Sequence, residues 1–140
     1  MNREMPQNIE AEQSVIGSML LSKSAIVQAT ESLVGDCFYL DKHAKIFNAI
    51  KKLYENSIPV DFTTITNELK DQGLLSAVGG VEYITEIMEQ TPVASNVGYY
   101  INIVLEKSVF RRLIEASSDV ATLGYSNEYN LEETLDKAES

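Results

Sequence analysis

The stretch Glu106–Tyr125, EKSVFRRLIEASSDVATLGY, decides how the chain is read. It closes a pattern running from about Ser95 to Leu123 that has no proline and, after Gly98, no glycine. Such a run predicts one helix ~40 Å long at a rise of 1.5 Å per residue. A domain of this size does not easily bury that length, so the helix must project or pack on another surface. With Leu113 at zero and ~100° per residue, Val109, Leu113, Ala116 and Val120 lie within about 60° of one line. Phe110 falls at about +60°, Ile103 and Ala121 at about +80°, and Ile114 at about +100°, with Leu105 and Leu123 at about −80°. The apolar arc is therefore about 180° wide, where one core-facing stripe needs ~100°. The expectation is a helix with two contacts, one to a hairpin partner and one to another chain. A helix sunk in a larger monomeric core is the alternative. Leu113 is taken as the core contact, which leaves Ile114 free at the edge of the arc; Val120, nearer the centre, can simply pack. Arg111, Ser118 and Thr122 fall on the far side. Arg111 and Arg112 are offset by Glu106, Glu115 and Asp119, so ion pairs or a neighbouring chain's carboxylates are their expected use.

Upstream, the reading is helical almost throughout. Asn8 caps a first helix with Glu10 and Glu12 in its positive first turn, and Val15, Ile16, Met19 and Leu20 form its apolar stripe. After the break Ser22–Ser24 comes a second short helix holding Ile26, Val27, Leu33 and Val34, then a loop, GDCFYLD, anchored by Phe38 and Tyr39. Asp41 is the expected cap of the clearest helix, where His43, Ile46, Phe47, Ile50, Leu53 and Tyr54 recur at helical spacing. Pro59 prevents its continuation. Asp61 caps the next helix, with Phe62, Ile65 and Leu69 inward and Gly73 as its stop. Gly79 and Gly80 punctuate the chain before a helix carrying Ile84, Ile87 and Met88, closed by Pro92. Gly124 stops the long helix, YSNEYN turns, and Asn130 caps a last helix of about ten residues with no C-terminal signal. So short a helix is marginal alone, and the expectation is a chain cut inside a helical hairpin. The fold class is all-α: a multi-helix body over residues 1–92 and a hairpin region, truncated, over 93–140.

The function classes narrow by charge and by missing chemistry. The 140 residues carry a net charge of −10, which opposes the clustered Lys and Arg that binding a polyanion needs. No direct nucleic-acid binding is expected. The basic cluster Lys42, Lys45, Lys51 and Lys52 reads as a solvated helix face. Residues 61–90 can be drawn as a helix-turn-helix, the alternative being an acidic DNA-binding regulator. Its second helix offers Glu82, Glu86 and Glu89 where a base reader needs Arg, Lys, Asn or Gln. No phosphate-binding glycine loop occurs. The lone His43 and lone Cys37 form neither a metal pair nor a credible dyad, and the carboxylates read as helix-start charge or solvated faces. No cofactor, metal or catalytic residue is expected. No window reaches the ~20 apolar residues of a membrane span, and one cysteine fits a reducing cytoplasm.

Four blocks carry a resemblance: MPQNIEAEQSVIGSMLL (5–21), DCFYLDKHAKIFNAIKKLYENSIPVDFTTITNELKDQG (36–73), GGVEYITEIMEQTPVASNVGYYINIVLEKSVFRRLI (79–114) and GYSNE (124–128). In order and spacing the chain resembles the N-terminal domain of bacterial replicative DnaB-type DNA helicases. The resemblance implies a non-catalytic collar domain whose hairpins pair into dimers and whose dimers build a hexameric ring over an ATP-driven motor domain. It also implies docking of the primase C-terminal domain, with a helicase loader as a further partner. The family's contact positions fall at Glu10, Tyr83, Ile114 and Val120. Self-association is expected through Ile103, Phe110, Leu113 and Ala121.

Overall fold

The computed structural model describes residues 4–91, 96–126 and 131–139. Helices dominate, and no strand occurs among the described residues. In chain order they are α1 (Ile9–Leu21), α2 (Lys23–Ser32), a short 3-10 turn (Gly35–Cys37), α3 (Asp41–Glu55), α4 (Phe62–Asp71), α5 (Gly80–Gln90), α6 (Val97–Tyr125) and α7 (Leu131–Glu139). The fold is all-α, as the periodicity requires.

Helix α1 is the axis of the body and packs against α2, α3, α5 and α6. Asn8 Oδ1 accepts the Ala11 N–H at 2.9 Å, supplying the expected cap. Ser22 does two jobs at the other end: its N–H closes α1 on Ser18 O, and its hydroxyl accepts from Ala25 N to start α2. Gly17 lies inside α1, where a glycine ordinarily weakens a helix. A Cβ there would collide with Thr91 Oγ1, so the missing side chain lets the end of α5 close onto α1. The stripe Val15, Ile16, Met19 and Leu20 is buried, and it meets Ile46, Phe47 and Ile50 of α3 and Ile84 and Ile87 of α5 in one core. Asp61 and Thr64 form a reciprocal capping box at α4, both bonds 2.9 Å long. Gly73 ends it at φ 72°.

Several local expectations change. Asp41 is the first residue of α3, not its cap; Leu40 holds that place with no side-chain bond, leaving Asp41 to act on the helix dipole. Helix α2 ends at Ser32, so Leu33 and Val34 lie beyond it, Leu33 buried and Val34 exposed. Phe38 is a core anchor, its ring 5.1 Å from that of Phe47, while Tyr39 is exposed. Phe62 is not inward: at the first position of α4 it is 38% exposed. Gly124 does not stop α6, which continues to Tyr125. The expected closure at Pro92, the long helix's first residue at Ser95 and the cap at Asn130 lie outside the described residues.

The largest correction concerns α6. Its buried residues are Val97, Ile101, Val104, Ser108 and Arg111, spaced by four and three, and they pack on α1, α2 and the 3-10 turn. That side is opposite Leu113. Leu113, assigned to the core, is 61% exposed, while Arg111, assigned to the far side, is 8% exposed. The core therefore takes in the first half of α6. Beyond Arg111 every residue through Thr122 is exposed, and α7 contacts α6.

Candidate protein-interaction site

Reversing the phase of α6 turns its wide apolar arc outward. Val109, Phe110, Leu113, Ile114 and Val120 are all exposed large hydrophobic side chains, as is Tyr99 nearer the base of the helix. Ala121 is exposed too, and Ile103 is partly buried against the core. Apolar side chains gathered on one uncovered helix face mark an interaction surface, whereas single exposed ones do not.

Arg111 holds the opposite, buried side of α6 against the body. Its guanidinium donates from Nη1 to Pro6 O and from Nη2 to Cys37 O, each at 2.8 Å, and lies 5.6 Å from the Tyr39 ring centroid. A planar fork can serve two carbonyls at once. The arginine thus ties the segment before α1 and the 3-10 turn to the middle of α6. No carboxylate pairs with it among the described residues, contrary to the expected ion pair.

The remaining positions lie on α1 and α5 of the body. Glu10 is exposed in the first turn of α1 and Tyr83 is half-buried on α5. Gln13, one turn after Glu10, donates to the Tyr83 hydroxyl at 3.3 Å, so the two positions share the α1/α5 seam. Ile114 and Val120 are on the part of α6 past Arg111, so the four positions expected to contact a partner fall in two groups, one on the α1/α5 seam and one on α6. Glu82, Glu86 and Glu89 are all exposed on α5, so the helix that would enter a DNA groove presents carboxylates.

Two residues read otherwise from the sequence have a larger part. Glu12 is not a solvated first-turn acid: it is buried, and its carboxylate accepts the N–H groups of Tyr39 at 2.6 Å and Leu40 at 3.3 Å. Its Oε1 also lies 2.8 Å from Nδ1 of His43, whose Nε2 is 2.6 Å from the Tyr83 hydroxyl. The signal was present in the spacing, since Glu12 and His43 each occupy a core-stripe position of their helix. No group of three His, Cys, Asp or Glu among the described residues is placed to hold a metal, and no helix among them is long and apolar enough to cross a membrane.

The comparisons agree with this architecture. The family model of the DnaB-like helicase N terminal domain matches residues 4–106. The replicative DNA helicase DnaC of Bacillus subtilis is 46% identical over 138 residues, covering 99% of this chain and 30% of that protein. The crystal structure of the N-terminal domain of DnaB helicase from Mycobacterium tuberculosis superposes with a TM-score of 0.93 at 40% identity, covering 97% of this chain and 96% of that one. A structure of the N-terminal domain of DnaB helicase from Helicobacter pylori and its interactions with primase shares the fold, with a TM-score of 0.70 at 19% identity over 83% and 90% of the two chains. With its family model matched over most of its length, its core helices in place and a relative's domain superposing almost completely, the chain belongs to the DnaB-like helicase N-terminal domain family.

Proposed function

We propose that the chain is a non-catalytic assembly and docking domain of a replicative DNA helicase. Two copies pair through the outward face of α6, with Phe110, Leu113 and Ala121 central and Ile103 at the base. Such pairs build the hexameric collar of the full-length protein, above a motor that supplies ATP hydrolysis and strand separation in the cytoplasm. Primase docks at Glu10 and Tyr83 on the body and at Ile114 and Val120 on the hairpin, and a helicase loader is a further partner. The division is functional: a body through residue 92 and a hairpin region over 93–140 whose base is packed into that body. The carrying observation is the uncovered apolar face of α6 formed by Val109, Phe110, Leu113, Ile114 and Val120. Burying such side chains between chains stabilises association, at about 25 cal/mol per Å² of apolar surface removed from water, before the costs of ordering. Kinship with proteins whose solved structures include primase interactions supports the docking role.

The test measures solution mass by sedimentation and binding to the primase C-terminal domain, for the wild type and Ile114→Asp. A charge in the face should lower the mass, weaken primase binding, or do both. Unchanged mass with unchanged binding would reject the assignment of that face.

A further inference from the structure

Tyr83 is held more tightly than a half-exposed surface tyrosine needs to be. Glu12 of α1, His43 of α3 and Tyr83 of α5 form one chain of hydrogen bonds through the interior. The Glu12 carboxylate only accepts, so Nδ1 of His43 carries the proton that faces it. In the neutral ring Nε2 is then the acceptor, and it takes the Tyr83 O–H at 2.6 Å. Gln13 donates to the same phenolic oxygen, which completes its bonding. The backbone N–H groups of Tyr39 and Leu40 hold Glu12 in turn.

The ring is fixed elsewhere as well. The Lys42 ammonium lies 3.6 Å from the Tyr83 ring centroid. Among the described residues this lysine has no carboxylate partner, whereas Lys45, Lys51 and Lys52 each pair with an acid. At the base of the side chain, a Cβ on Gly79 would sit 2.8 Å from Tyr83 Cβ, so the left-handed glycine at φ 100° makes room for it. A tyrosine fixed at hydroxyl, ring face and root loses little conformational freedom on contact with a partner.

We propose that His43 is a positioning residue for partner docking, acting through the Tyr83 hydroxyl, and that Glu12 sets the tautomer in which it does so. This rests on the reading of Tyr83 as a docking residue. The test is a double-mutant cycle in the 140-residue chain, titrated calorimetrically with the primase C-terminal domain: wild type, Tyr83→Phe, His43→Phe and the double variant. Each single change should weaken binding about fivefold, the worth of one hydrogen bond, and the double variant no more than either alone. A purely structural His43 gives losses that add. Additive losses, or wild-type binding by Tyr83→Phe while Tyr83→Ala binds poorly, overturn the inference. The Tyr83→Phe comparison removes only the oxygen bonded to His43 and Gln13, and decides the matter even where His43→Phe does not fold. Wild-type binding by Tyr83→Ala overturns the docking reading itself. A spectroscopic arm tests Glu12 separately: in Glu12→Gln the amide donates to Nδ1, so imidazole ¹⁵N spectra should show the proton moved to Nε2. An unchanged spectrum overturns the role given to Glu12.

Discussion

At the residue scale, Arg111 and Arg112 show what a sequence hides. The two are neighbours of one type, yet Arg111 is enclosed and Arg112 is exposed, because one position on a helix is ~100° of rotation. Removing the Arg111 side chain leaves the Pro6 and Cys37 carbonyls without their donors. An unsatisfied buried acceptor costs about 1–3 kcal/mol, so Arg111→Ala should lower stability by roughly 2–4 kcal/mol in urea unfolding. Lysine carries one ammonium instead of a fork and reaches one carbonyl at a time; Arg111→Lys should recover only part of that loss. Equal stability of all three proteins would show that the clamp contributes nothing. The Glu12–His43 pair was legible in part, since a charged residue on an apolar stripe must find a partner. That each is the other's partner was not, because thirty-one positions separate them and only the packing of α1 on α3 brings them within 2.8 Å.

At the element scale, the sequence showed the existence, length and excess apolar width of α6 but not which side faces inward. An arc of about 180° is compatible with burial on more than one side. The tie is broken earlier in the helix, where Val97, Ile101 and Val104 set a phase that the distal half must follow as one rigid rod. Helix starts marked by a specific side chain, Asn8 and Asp61, were readable from the sequence, whereas the Asp61–Thr64 box and the misplaced cap at Asp41 were not, because a cap is proved only by the bond it makes. Two stability measurements separate the faces of α6. Ile101→Ala opens a cavity in the core and should cost about 2–5 kcal/mol, whereas Leu113→Ala, measured at low protein concentration, should stay within about 0.5 kcal/mol. The reverse order would restore the assignment of Leu113 to the core. Asp61→Ala, which removes the capping box of α4, should cost about 0.5–2 kcal/mol in thermal or urea unfolding, and no change would mean Thr64 and solvent replace it fully.

At the scale of the whole molecule, two opposing terms act on any pairing of copies. The outward face of α6 favours contact by burying apolar surface, while a net charge of −10 on each copy opposes it. Repulsion between exposed charges is screened over a Debye length of ~10 Å at 0.1 M salt and ~3 Å at 1 M. The apolar term does not weaken as salt rises. Raising sodium chloride from low to moderate concentration should therefore tighten self-association of the wild type in sedimentation velocity. Leu113→Asp puts a carboxylate in the middle of the face and should stay monomeric across the same range. Binding to a nucleic acid has the opposite sign, since it releases counterions and weakens as salt is added. A wild-type assembly that dissolves on adding salt would show that ion pairs at the rim, and not the apolar face around Leu113, hold the copies together.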